Sequence, residues 1–304
     1  MPDGTGRGTR FKLKDVPLSE QARLRVAAIR FLNPAPLMWD FEHPPYNSEF
    51  ALRYNVEWML PAECADRLAS RTADIGLVPI ASLADNPGLR ILPGCTIASK
   101  RRVRSLLLVR RARQALAKVG TVAADTASRT TIAHARILFH EWGNSAVEFV
   151  PMPADVDAML ERADAAIVIG DPALLALEER ANREERTGEE LVYHDLAEEW
   201  RRVTGLPFVS AVWGAATSLN ERVAEDLIRS RDHGLGNIEA LAAEWSNRVA
   251  LPQETLYEYF TSNIHYVLDE ECLEGMRCFF RKAAELGILP GYEFSVGEMA
   301  ARRG

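Results

Sequence analysis

Long apolar runs are missing from this chain. The longest, such as Leu106-Leu107-Leu108-Val109 and Ala165 to Ile169, fall far short of the roughly 20 residues of a membrane-spanning helix. A basic excess is missing too. With 36 Lys and Arg against 43 Asp and Glu, and a net charge of −7, little is available to neutralise a phosphate backbone, so no nucleic-acid partner is expected. Cysteine is scarce. Cys64, Cys95, Cys272 and Cys278 show neither C-x-x-C spacing nor a paired His motif, which argues against zinc and a disulfide framework and for small buried hydrophobes in a reducing compartment. Residues 1–20 lack the apolar core of a signal peptide, so residues 1–22 read as a flexible tail and the protein as cytoplasmic. No G-x-G-x-x-G follows a strand, and there is no Walker loop and no G-x-S-x-G elbow. The histidines are scattered, and His134 and His140 are wrongly spaced for one helix face. No metal and no cofactor is therefore expected.

What is present is ordinary globular material. The chain has 304 residues, 47% of them apolar, enough for about two domains. Leu24 to Phe31 is β-branched and apolar and stops at Asn33-Pro34-Ala35-Pro36, which reads as a strand and a turn. Phe50 to Val56 also reads as a strand, and Pro61 to Ser70 as a short helix with proline in its first turn.

One internal echo organises the rest. Ala73-Asp74-Ile75-Gly76-Leu77-Val78-Pro79 is matched by Ala163-Asp164-Ala165-Ala166-Ile167-Val168-Ile169-Gly170-Asp171-Pro172, 90 residues later. Each is a short apolar strand ending where a helix starts, the pattern of a parallel α/β sheet. Two copies suggest two similar lobes, with coincidence between generic α/β units as the alternative. Ser105 to Arg110 and Phe208 to Gly214 are the expected crossing strands. Residues 110–213 then form lobe 2, inserted between residues 23–109 and 214–304 of lobe 1. The carboxyl-terminal part reads as helices over Ser218–Arg231, Asn237–Asn247, Pro252–Phe260 and Asp269–Leu286, the last capped by Asp269 and ended by Gly287 and Pro290.

The candidate site residues follow from that frame. In parallel α/β sheets the carboxyl ends of strands line the ligand crevice. Asn33 sits at such an end and is either a ligand contact or a turn former. Asp125-Thr126-Ala127-Ser128-Arg129-Thr130-Thr131 places hydroxyls and free amides at a helix start, suited to a carboxylate; a capped helix holding nothing is the alternative. Arg129 either adds a charged contact or faces solvent. Ser99-Lys100-Arg101-Arg102-Val103-Arg104-Ser105 is the densest basic run, either drawing an anion into the cleft or lying solvated. Ser105 opens an apolar strand near the expected hinge. Gly170 and Asp171 end the second echo strand, with Asp171 a helix N-cap or a ligand contact.

Together these segments resemble the chorismate dehydratase family of the futalosine route to menaquinone. The matching stretches include Phe31-Leu32-Asn33, Ala73 to Pro79, Leu92-Pro93-Gly94-Cys95, Val103-Arg104-Ser105, Asp125 to Thr130, Ile169-Gly170-Asp171, Tyr193 to Trp200, Thr204 to Phe208, Trp213 and Asp269 to Pro290. The resemblance implies an α/β, two-lobed type II periplasmic-binding-protein-like fold with two crossover strands, used as an enzyme. It implies a hydro-lyase that takes water from chorismate to give 3-[(1-carboxyvinyl)oxy]benzoate. Asn33 and Ser105 match the family's catalytic asparagine and cleft serine. Thr126, Ser128 and Arg129 match its anion-binding turn, and Thr130, Ser99, Gly170 and Asp171 are further expected substrate contacts. The chain departs from many relatives at Ser99-Lys100-Arg101-Arg102, where they carry a Ser-Asp-Gly-Pro-like run.

Aromatisation supplies the drive, so the expected reaction needs orientation and stabilisation of a departing oxygen rather than a redox cofactor. No motif offers a His or Glu base. The expected base is the substrate's own enolpyruvyl carboxylate, with an unrecognised Asp or Glu as the alternative. The rival functions are 1,4-dihydroxy-6-naphthoate synthase of the same route, whose branch usually needs a cleft histidine, and a non-enzymatic small-anion-binding protein. The expected partner is chorismate alone, with no membrane contact, on a monomer or homodimer.

Overall fold

The computed structural model describes residues 11–12, 23–125 and 129–298. Eleven strands of two sheets carry the argument: β1 (Leu24–Ile29), β2 (Tyr54–Met59), β3 (Ile75–Pro79), β4 (Arg90–Ser99), β5 (Leu106–Arg111), β6 (Thr121–Asp125), β7 (Glu148–Met152), β8 (Ala165–Ile169), β9 (Leu191–Asp195), β10 (Phe208–Ala215) and β11 (His265–Val267). The larger sheet runs β11-β4-β10-β3-β1-β2 and the smaller β9-β5-β8-β6-β7.

The echo in the sequence is an echo in space. In the larger sheet β3 and β2 flank β1, all parallel; in the smaller, β8 and β7 flank β6, all parallel. Each trio then takes one antiparallel strand on its open side, β10 on β3 and β5 on β8. Both echo strands, β3 and β8, are buried along their whole length. Strands covered by helices on both faces read as continuous apolar runs for this reason. The chain leaves the larger sheet after Ser99 and returns to it at Phe208, so β10 is a full member of the larger sheet and β5 of the smaller.

The helices that matter to the site are α1 (Pro61–Ala69), α2 (Ala81–Asp85), α3 (Arg129–Glu141), α4 (Asp171–Glu178), α5 (Leu196–Thr204), α6 (Glu221–Leu235) and α7 (Glu270–Glu285). Asp269 caps α7 by accepting the Cys272 N–H at 2.9 Å, as its position suggested. All four cysteines are buried free thiols. His134 on α3 is fully buried and stacks on Phe208 at 3.8 Å, and burial pushes its imidazole down to about 3. No helix among the described residues is long and apolar enough to cross a membrane.

One reading needs correction. Phe50 to Val56 is not one strand: Asn47–Arg53 is helical and β2 starts only at Tyr54. Phe50 alone is buried on that helix, while Leu52 is 78% exposed and Arg53 pairs with Glu49 one turn back. Leu92-Pro93-Gly94-Cys95 lies inside the ten-residue strand β4. The register of β4 against β10 shifts between Ile91 and Thr96. Proline, which has no N–H to donate, is tolerated at such a bulge.

Candidate active site

The two lobes meet over a cleft lined by Phe31 and Asn33 after β1, Pro79 at the end of β3, Ser105 before β5, Thr131 on α3 and Gly170 after β8. These positions are strand ends and a helix start, where the fold class places its ligands. Asn33 and Ser105 thus share one cavity.

Their polar atoms are set differently. Asn33 Oδ1 is buried and has no hydrogen-bond partner among the described residues. A buried acceptor left unpaired is costly, so in a folded protein it calls for an explanation. Ser105 is 2% exposed, and its Oγ accepts the Tyr259 hydroxyl at 2.8 Å. Its backbone carbonyl accepts the Gly170 N–H at 2.8 Å. The Asn33 carbonyl in turn accepts the Tyr266 hydroxyl at 3.0 Å. Burial raises both tyrosine hydroxyls above their usual range, so both are neutral donors.

The turn that delivers Ser105 is held by Asp195, at the end of β9. One carboxylate oxygen accepts the Val103 and Arg104 N–H groups at 2.9 and 2.6 Å, while the other caps α5 through Ala197 and Glu198. Arg104 sits in the left-handed region at φ 62°, a conformation that this carboxylate pins. Tyr259 and Tyr266 carry no local signal in the sequence, and the motif around Asp195 does not report its bond to the Ser105 turn. These hydrogen bonds each span 90 or more positions, and only the fold reveals the pairing.

Several candidates bind the lobes to each other. Asp171 is neither the α4 N-cap nor a lining residue: Gly170 holds the cap position, and the Asp171 carboxylate accepts the Leu32 N–H of the other lobe at 3.0 Å. Burial pushes that carboxyl up to about 6. Thr130 Oγ1 accepts the Ala81 N–H at the start of α2, at 3.0 Å. Arg129 pairs with Asp66 of α1 at 3.0 Å, an exposed contact rather than a solvated arm. Gly170 lies against the Phe31 ring. Thr126 and Ser128 lie outside the described residues.

The basic run also divides. Ser99 is buried and accepts the Arg101 N–H at 3.4 Å but does not line the cleft. Lys100 binds Asp269 and Glu271 at 2.7 and 3.0 Å, and Arg104 binds Glu258 at 3.5 Å. These two cations are clamps on the turn, neither aimed into the cleft nor left in solvent. His265, Asp269 and Cys272 bring three potential metal-ligand atoms within 4.8 Å of one another. The Lys100 ammonium and the His265 imidazole already occupy one Asp269 oxygen, at 2.7 and 2.9 Å.

A family model described as menaquinone biosynthesis matches residues 24–285. The chain belongs to this family. A chorismate dehydratase of Thermus thermophilus is 27% identical over 247 residues, which cover 77% of this chain and 88% of that protein. Among solved structures, a protein of Archaeoglobus fulgidus superposes with a TM-score of 0.68 at 15% identity, covering 88% of this chain and 98% of that one. A Candida albicans protein with the generic periplasmic binding protein fold gives a TM-score of 0.62 at 13% identity, over 89% and 92% of the two chains. The family resemblance and the periplasmic-binding-protein-like fold drawn from the sequence both stand.

Proposed function

We propose that this member of the family is a chorismate dehydratase, a carbon–oxygen lyase that converts chorismate to 3-[(1-carboxyvinyl)oxy]benzoate in menaquinone biosynthesis by the futalosine route, in the cytoplasm. The observation that carries the reading is the pairing of Asn33 and Ser105 in one buried cleft. Asn33 Oδ1 is an acceptor without a partner among the described residues, and Ser105 Oγ, already accepting from Tyr259, has its own hydrogen to give. An acceptor and a donor side by side suit a hydroxyl, which both gives and takes a hydrogen bond.

In the reaction the C3 proton is removed, the C4–oxygen bond breaks, and the electrons of the C3–H bond form the C3=C4 bond that completes the aromatic ring. Asn33 accepts the hydrogen of the C4 hydroxyl and orients it. Ser105 donates to the same oxygen as negative charge develops there. The described residues lining the cleft include no Asp, Glu or His. This supports the substrate's enolpyruvyl carboxylate as base, with the departing oxygen taking up the proton to leave as water. The same lining among the described residues includes no histidine, the residue that the naphthoate synthase branch usually needs. Contacts to the ring carboxylate are assigned to Thr126 and Ser128, which lie outside the described residues, on the family resemblance alone.

The test is proton NMR of chorismate with the purified protein. The ring methine signals are expected to give way to aromatic ones while the enolpyruvyl vinyl signals persist. An unchanged spectrum contradicts the reading, as does a product that keeps the ring methines.

A further inference from the structure

Tyr259 is absent from every motif of the chain, yet its hydroxyl ends on Ser105. It stands in a π-turn, Tyr259–Asn263, where the preceding helix Gln253–Glu258 unwinds. Such one-turn distortions re-aim side chains and recur at functional sites. The side chain is 1% exposed, and its hydroxyl donates to Ser105 Oγ at 2.8 Å. A serine oxygen offers one hydrogen and accepts others. Once Tyr259 donates, that oxygen is engaged as an acceptor, and the Ser105 hydrogen must point elsewhere. Among the described residues nothing accepts it, and the open direction is the cleft that Ser105 lines.

We infer that Tyr259 is a positioning residue that fixes Ser105 as a hydrogen-bond donor toward the departing hydroxyl. The inference rests on the dehydratase reading and deepens it. Without Tyr259, Ser105 is free to rotate and accept from the substrate hydroxyl, which leaves the developing charge without its donor. The role is orientation, not proton supply: Tyr259 is buried near Asp171 and Asp195, and burial and those carboxylates all oppose a tyrosinate. The proton on the leaving oxygen comes from C3 by way of the substrate carboxylate, so Tyr259 and Ser105 both end the cycle as they began it.

The test is a double-mutant cycle with Tyr259→Phe, Ser105→Ala and the double variant, read by steady-state kinetics on chorismate and by thermal melting. Tyr259→Phe keeps the ring and removes only the hydroxyl. It is expected to lower kcat about tenfold with KM little changed, as for an interaction realised mainly in the transition state. In the Ser105→Ala background the same substitution should cost nothing further in kcat, because the tyrosine acts only through the serine. The melting cycle should show the same coupling: Ser105→Ala leaves a buried donor unpaired and lowers Tm, and the double variant recovers part of that loss. Wild-type turnover with additive effects of the two substitutions on kcat overturns the role of Tyr259 and leaves the dehydratase reading intact. A wild-type protein that does not dehydrate chorismate overturns that reading, and the positioning role with it.

Discussion

The Asp171 carboxylate accepts the backbone N–H of Leu32 at 3.0 Å, so a residue of the smaller-sheet lobe holds the one immediately before Asn33. This contact between the lobes therefore fixes the backbone next to the Asn33 amide. Burial raises Asp171 to about 6, above the ordinary value near 4. A raised folded-state value means that folding favours the neutral acid. That contribution is fully present below about pH 4 and lost as pH rises through about 6. Asp171→Asn keeps an acceptor for Leu32 and removes the buried charge. Its Tm should match wild type at pH 4 and exceed it at pH 8, by the equivalent of at most about 3 kcal/mol. An equal difference at both pH values would show that the charge is not the cause.

Gly170 offers a second handle on closure. Its φ is 64°, and a Cβ there would come within 2.9 Å of the Phe31 ring. Gly170→Ala meets both a positive-φ backbone at ψ −144° that essentially only glycine adopts, costing about 1–3 kcal/mol, and a clash across the cleft. Expected are a lower Tm, a larger radius of gyration in solution scattering, and kcat/KM reduced at least about tenfold, since small misplacements at a site cost orders of magnitude. A variant with wild-type scattering and kinetics would remove Gly170 from the closing surface.

Asn33→Ala separates function from stability. Because Asn33 Oδ1 has no partner among the described residues, its removal breaks no hydrogen bond to them at that atom and should leave Tm unchanged or raised by the equivalent of about 1 kcal/mol. Turnover of chorismate should fall by about a hundredfold or more, as when a positioned polar group at a reacting oxygen is deleted. Near-wild-type kcat would take Asn33 out of the reaction.

The cluster of His265, Asp269 and Cys272 bears on metal dependence. Lys100 already neutralises Asp269 at 2.7 Å. Exhaustive chelation followed by dialysis should leave chorismate turnover unchanged. Lost activity that Zn²⁺ or Mg²⁺ restores would contradict this.

Much of the architecture was legible because it repeats. The echo of Asp74 to Pro79 in Asp164 to Gly170 reported two equivalent buried strands; strand ends then pointed to Asn33 and Gly170, and the start of a crossing strand to Ser105. The helix over 47–53 was misread because its short apolar run fits either period and only Phe50 among its residues is buried. The roles of Arg129, Thr130 and Asp171 were hidden for a different reason. Their residue types suit an anion, but their partners, Asp66, Ala81 and Leu32, sit on the opposite lobe. Tyr259 and Tyr266 were beyond reach because nothing in a lone tyrosine reports which oxygen its hydroxyl will meet.

The central claim is that the cleft holding Asn33 and Ser105 dehydrates chorismate. Mass analysis after incubation of chorismate with wild type, Asn33→Ala and Ser105→Ala in parallel tests it most directly. The account predicts a product lighter than chorismate by one water with wild type, and little or none with either variant while both stay folded. Chorismate recovered intact from the wild-type reaction, or the same yield from all three proteins, would contradict it.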